Sequence, residues 1–143
     1  MQPKEICPWR ILRALQNLVW KSPKTLITFT NVNKVTIVVS GAGSAALACA
    51  NLYVLLGVKP ENIIMFDKDG VLHNERTDLS DLQRRYTTAK PGTTMAQALK
   101  NADVFLGLSA GNILTPEMLL AMAKNPIVFA MANPVPEIDY NVA

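Results

Sequence analysis

Gly41-Ala42-Gly43-Ser44-Ala45-Ala46 is the segment whose residue types and spacing most directly imply chemistry. Gly41 permits a tight turn. Gly43 lets the backbone approach a pyrophosphate with no Cβ in the way. Ala46 stands where a third small residue lets a helix pack close on a strand. A helix starting beyond Gly43 offers unpaired N–H groups and a partial positive charge to the phosphates. Asp67 follows 21 residues after Ala46, and a carboxylate there can accept both hydroxyls of an NAD ribose. NAD is therefore the expected ligand, while Lys68, able to pair with a 2′-phosphate, leaves NADP open. Two plainer readings compete: a glycine turn made for packing alone, and an acid that only caps the Lys68-Asp69-Gly70 loop. The binding reading is favoured because the motif has a strand before it, a helix after it and an acid at the right distance.

Other candidate residues are fewer. Ser109-Ala110-Gly111 and Asn133-Pro134 follow apolar segments that read as strands. Strand C-termini line the ligand crevice of open α/β sheets, so either segment is a binding turn or a plain one. His73, the only histidine, lies in a polar loop beside Asn74 and Glu75 and is expected to be an exposed imidazole. Asp78 and Asp81 are expected on a surface helix, and Glu137 and Asp139 trail toward the C-terminus. Cys7 and Cys49 lack CxxC spacing, and with one histidine they build no zinc site. A reduced, cytoplasmic setting follows most simply, with Cys49 a small buried residue on a helix.

The elements that must position these residues read as alternating strands and helices. Val35–Val39 is a β-branched run suited to a strand buried on both faces. Ala45–Leu56 is apolar and helix-forming, with Gly57 as its stop. A turn at Lys59-Pro60-Glu61-Asn62 leads to a second strand, Ile63–Phe66, ending at Asp67. The unit from Val35 to Asp67 has 33 residues, close to the roughly 30 of a βαβ unit. Asp78–Tyr86 reads as a helix, and Thr94 to Gln97 fits a capping box for a helix from Met95. Val104–Leu108 is a third strand. Thr115-Pro116-Glu117 begins a helix running to about Lys124, and Ile127–Met131 is a fourth strand. This order predicts an α/β fold, a Rossmann-like doubly wound parallel sheet with helices on both faces.

Length and composition agree. The chain has 143 residues, half of them hydrophobic and 17% charged, which suits one domain with a buried core. No apolar run approaches the ~18 residues of a membrane span, so no membrane partner is expected. The net charge of +3 is uneven. Residues 1–34 hold six cations against Glu5, a net of +5, which leaves −2 for the remainder. We divide the chain accordingly into a basic N-terminal segment, 1–34, and a dinucleotide-binding domain, 35–143. Within the segment, Trp9, Ile11, Leu12, Leu15, Leu18 and Val19 suggest an amphipathic helix over 9–20, stopped by Pro23. A transit peptide would be richer in Arg and Ser, and no nucleic-acid motif is present. A solvated lead-in is the expected role.

Five segments carry a family resemblance: Val38–Ala46, Asp67–Val71, Ala102–Ser109, Leu114–Met118 and Phe129–Glu137. In order and spacing they resemble the NAD-binding domain of malic enzymes, most of all the bacterial type, from about Val35 to Ile138. The resemblance implies an oxidoreductase that oxidises malate with NAD or NADP and releases pyruvate and CO2, using Mg²⁺ or Mn²⁺. It implies that Gly41, Gly43, Ser44, Ala45 and Ala46 line the pyrophosphate turn and that Asp67 faces the adenosine ribose. It places Ser109 and Ala110 at the cofactor's border and Asn133 against substrate near the nicotinamide.

The family also uses a tyrosine acid, a lysine base and metal-holding carboxylates from an upstream domain. Residues 5–15 lack the acidic stretch expected there, and the family's Asp-Ser-x-Gly is Asp67-Lys68-Asp69-Gly70 here. No catalytic residue and no metal ligand is assigned. The sequence therefore reads as a truncated or split gene product, its domain incomplete relative to the family's. It would bind a dinucleotide, and would act on malate only with a catalytic domain supplied. A non-catalytic nucleotide-binding subunit that completes a site with another chain, or as a homo-oligomer, is the second reading. A basic nucleic-acid-binding protein is the third and weakest.

Overall fold

The structure, a computed structural model, describes residues 32–139 and 141. The helix expected over 9–20, its stop at Pro23 and Cys7 lie outside the described residues. A short 3-10 turn, Val32–Lys34, leads into β1, Ile37–Ser40. The chain continues through α1 (Ser44–Leu55), a 3-10 turn (Pro60–Asn62), β2 (Ile63–Asp67), β3 (Gly70–Val71) and α2 (Asp81–Arg84). It ends with α3 (Met95–Leu99), β4 (Val104–Gly107), α4 (Pro116–Leu120) and β5 (Ile127–Ala130).

The strands form one sheet in the order β3-β2-β1-β4-β5. β1 pairs in parallel with β2 and β4, and β4 in parallel with β5. The parallel sheet expected from the sequence is present, with one short strand added that the sequence did not show: β3 runs antiparallel to β2, with Asp67 opposite Gly70. Two residues are too short to leave an alternation in sequence, and Gly70, at φ +114°, makes the reversal.

Alternation along the strands divides the core. Ile37, Val39, Ile63, Met65, Val104 and Leu106 face one side, packed with Ala46 and Ala50 of α1 and with Leu79 and Tyr86 flanking α2. Val38, Phe66 and Phe105 face the other, with Ala98 and Leu99 of α3 and with Leu114 and Met122 around α4. Helices cover both faces, which makes the domain a doubly wound α/β fold.

Local signals decide most boundaries. Gly57 ends α1 at φ +105°, and Gly57 and Val58 return N–H bonds to Val54 and Tyr53. Thr94 and Gln97 form the expected capping box, and Thr115 caps α4 with Pro116 at its first position. Competing bonds shorten two helices, tertiary ones at α4 and local ones at α2. α4 stops at Leu120 because the Ala121 carbonyl and the Ala123 N–H bond to Asn101 and Ala102. α2 begins only after Ser80, whose own capping box with Gln83 starts it; Asp78 lies outside it, bound to Arg76. Cys49 lies on α1 as expected but is half-buried.

Candidate functional site

From β1 the chain moves through α1 to β2 on one side, then crosses to β4 on the other. The C-termini of β1 and β4 therefore flank a topological switch point, where open α/β sheets hold their ligands. Ser40 and Gly41 leave β1 there, and Gly107, Leu108 and Ser109 leave β4. The Ser40 and Ser109 hydroxyls lie 2.6 Å apart. The Gly41 N–H donates to the Phe66 carbonyl at 2.8 Å, and the Leu108 N–H to the Ser40 carbonyl at 2.8 Å.

The two motif glycines answer different demands. Gly41 has φ +117°, and a Cβ on it would lie 3.0 Å from the Leu108 carbonyl oxygen. The turn and the β4 exit leave room only for glycine. A Cβ on Gly43 would meet nothing within 4 Å. Fold packing does not demand glycine here, and an added side chain would project into open space beside the start of α1. Gly43 is the N-cap of that 12-residue helix and makes no side-chain capping bond. The first-turn N–H groups are left to an outside acceptor. Gly43, Ser44 and Ala45 are exposed, whereas Ala46 is 1% exposed and packs into the core below.

One residue that the sequence did not single out braces this turn: Gln83 donates from Nε2 to the Ala42 carbonyl at 3.0 Å. The capping pattern Ser80-x-x-Gln83 was the available signal. α1 and α2 also border an open groove lined by Ser44, Asn51, Arg85 and Tyr86 among others.

Asp67 ends β2 with its carboxylate engaged. Arg76 donates to both of its oxygens at 2.8 Å, and the Asp69 N–H donates to it at 2.9 Å. The loop-capping reading thus describes part of what Asp67 does. Arg76 also bonds Asp78. Three carboxylates, of Asp67, Asp69 and Asp78, gather within 4.8 Å, with the Arg76 guanidinium as their countercharge. Lys68 points outward and pairs with Asp69 at 3.2 Å. Arg76 was missed because its partners lie scattered along the loop and join only when β3 folds it back.

Burial raises the Asp67 pKa, but hydrogen bonds from Arg76, the Asp69 amide and the Arg76 charge outweigh it and leave the pKa below the ordinary value. Asp78 is pulled down to about 2, chiefly by its hydrogen bond from Arg76. Both acids thus ionise at lower pH in the folded chain than in the unfolded one. Their stabilisation is complete above the ordinary carboxyl pKa of about 4 and is lost as pH falls through the folded values. Melting temperatures measured from pH 5 down to pH 2 should fall more steeply in the wild type than in Arg76→Gln. Parallel curves would mean that the cluster stabilises nothing.

Two expectations are corrected. His73 is half-buried rather than exposed, because its backbone bridges Thr88 and its Nδ1 is enclosed. Glu137 does not trail off: it is 0% exposed beneath the ends of β4 and β5. Its oxygens accept from the Ser109 and Ala132 amides. Asp139 is exposed, as are Asp81, Ser109, Ala110 and Asn133. Ser109 and Asn133 follow neighbouring parallel strands at the same sheet edge, which brings both to the switch-point side. Glu137 sits in an apolar stretch just after Pro134 and Pro136, and an acid in such a setting was the only hint of its burial.

The family described as the malic enzyme NAD-binding domain matches residues 22–142. An NADP-dependent malic enzyme of Halomonas elongata is 44% identical over 107 residues, which are 75% of this chain and 25% of that protein. An NAD-dependent malic enzyme of Rhizobium meliloti is 45% identical over 114 residues, 79% of this chain and 15% of its own length. Among solved structures, the NAD-dependent malic enzyme of Thermotoga maritima has a TM-score of 0.70 at 32% identity, covering 92% of this chain and 33% of that one. The chain spans a quarter or less of the length of these curated relatives. Among the described residues, no helix is long and apolar enough to cross a membrane.

Proposed function

The chain belongs to the malic enzyme NAD-binding domain family, and from that premise we propose that it holds NAD across the β1–β4 switch point. The pyrophosphate lies on the turn of Gly41, Gly43, Ser44, Ala45 and Ala46, with the adenosine ribose toward Asp67. Ser109 and Ala110 border the cofactor, and Asn133 faces substrate. The observation that carries this reading is the open space over Gly43, beside an N-terminus of α1 that no side chain caps. Bound NAD would supply the electron acceptor for oxidising an alcohol such as malate. The chain's own groups bind and orient: amide N–H groups meet the phosphates, Gln83 steadies the turn, and Asp67 meets the ribose edge. The setting is a reducing, cytoplasmic one, in keeping with a Cys49 that has no disulfide partner among the described residues.

Relatives named for NAD and for NADP match at nearly equal identity, so their names leave the choice of cofactor open. Charge argues for NAD. Arg76 is already shared by Asp67 and Asp78, and a 2′-phosphate would have to displace a carboxylate to reach it. Calorimetric titration of the purified chain should give weak binding, with a Kd on the order of 0.1–1 mM, tighter for NAD than for NADP. Asp67→Ala frees one side of Arg76 and should shift the ratio toward NADP by roughly 5- to 150-fold, the scale of a 1–3 kcal/mol polar mismatch. Tighter NADP binding in the wild type, relieved by Lys68→Ala, would assign the 2′-phosphate to Lys68 instead.

The chain alone should not turn over malate. Its clustered acids are committed to Arg76, and Glu137 is committed to backbone amides. Decarboxylation needs a Lewis acid on the developing enolate and a matched acid and base. Incubation with malate, Mn²⁺ and NAD or NADP should yield neither reduced nicotinamide nor pyruvate. Turnover that is lost in Asn133→Ala would mean a complete active site within these 143 residues.

A further inference from the structure

We propose that Glu137 is a positioning residue, clamping the turn after β4 to the segment after β5 and so fixing the distance between Ser109 and Asn133. This deepens the dinucleotide reading and rests on it. Glu137 is fully buried. Its Oε1 accepts from the Ser109 N–H at 3.4 Å and its Oε2 from the Ala132 N–H at 3.0 Å. Each oxygen thus holds one of the two exits, next to a residue assigned to the site. Among the described residues no Lys or Arg pairs with it. A buried acid satisfied only by backbone amides ties those amides in place, because releasing either one leaves an unpaired polar group inside.

The surroundings are built for this contact. Gly107 has no side chain, and a Cβ there would overlap the Glu137 carboxyl group. The Glu137 carbonyl accepts from the Leu114 N–H and the Pro136 carbonyl from the Asn112 N–H, both at 3.0 Å, and the Met131 N–H reaches the Gly107 carbonyl at 3.1 Å. A Cβ on Gly111 would come 2.6 Å from the Val135 carbonyl oxygen. The two exits are laced along their length, and the acid sits at the end nearest the switch point. No bond of this lacing is made to Gly41 or Gly43, which meet the β4 exit through Ser40 and Leu108, so the clamp acts chiefly on the half of the site that borders Ser109 and Asn133.

Glu137→Gln keeps one acceptor oxygen and turns an N–H₂ toward the second amide. Two readings of this variant test the clamp. Amide hydrogen exchange of the ligand-free chain should lose at least ~10-fold protection at Ser109 or Ala132 while Val39 and Met65 keep theirs. Titration should weaken NAD by about tenfold, one lost hydrogen bond's worth, and leave ADP unchanged, since ADP lacks the nicotinamide half. Glu137→Asp keeps both acceptors on a shorter arm and should fall between wild type and Glu137→Gln; it serves as the readout if Glu137→Gln does not fold. Unchanged protection at both amides overturns the clamp. Equal loss of NAD and ADP, together with a lower melting temperature, reduces Glu137 to fold support and also overturns it. A wild-type chain that binds neither nucleotide refutes the dinucleotide reading and the clamp's role in binding, with the exchange result separating the two failures.

Discussion

Gly107→Ala should destabilise the domain by about 2–4 kcal/mol, the sum of overpacking and of displacing a buried, hydrogen-bonded group. The added methyl would fall on the carboxyl group of Glu137. A flexible side chain in solvent would swing aside, but Glu137 is fully enclosed and both of its oxygens are bonded to amides. Moving it strands the Ser109 and Ala132 N–H groups. Moving β4 instead would disturb its ladders with β1 and β5. A domain of this size should lose on the order of 10 °C in Tm. Pairing the substitution with Glu137→Ala should recover part of the loss by emptying the occupied space. A Gly107→Ala chain that melts within 2 °C of wild type would mean that this packing is loose.

Gly43→Val should have the opposite profile, losing NAD binding by roughly tenfold to a hundredfold while the fold stays within about 1 kcal/mol of wild type. Nothing in the protein lies within 4 Å of the position a Cβ would take. The backbone there, at φ −80° and ψ −177°, is extended and open to valine. The small stability change comes from putting a poor N-cap residue before α1. The binding loss comes from a branched side chain standing where the phosphates must reach the first-turn amides. Calorimetry with NAD and ADP, beside a thermal melt, separates the two effects. Equal affinity in wild type and variant would remove the pyrophosphate from this turn.

The sequence made the βαβ unit legible because its signals are local. A β-branched strand, two glycines, an apolar helix and Gly57 each act through their own backbone preferences, and each stands where expected. Thr94 and Thr115 were legible for the same reason. Features that depend on distant partners were not. The β3 reversal is two residues long, and Arg76 acquires its full role only when that reversal brings Asp67 to it beside its near neighbour Asp78. α4 ends early because its last carbonyls serve the segment at Asn101 and Ala102. Glu137 looked like a surface acid since acids rarely lie fully buried, and the amides that hold it come from two separate strand exits. The glycine pair was readable as a motif that asks a tight turn of Gly41 and an open approach of Gly43, but not which of them the protein's own packing requires. Gly41 is required by the protein's own packing, and Gly43 by none of it.

The most direct test of the central claim is an NAD titration of the wild-type chain followed amide by amide in nitrogen–proton spectra. The account predicts that Gly41 to Ala46 shift first and saturate together with Ser109 and Ala110, with Asp67 and Asp69 following at the ribose edge, and that Gly43→Val suppresses the whole set. Shifts confined to the outer groove of Asn51, Arg85 and Tyr86, or saturable shifts that persist unchanged in Gly43→Val, would contradict it.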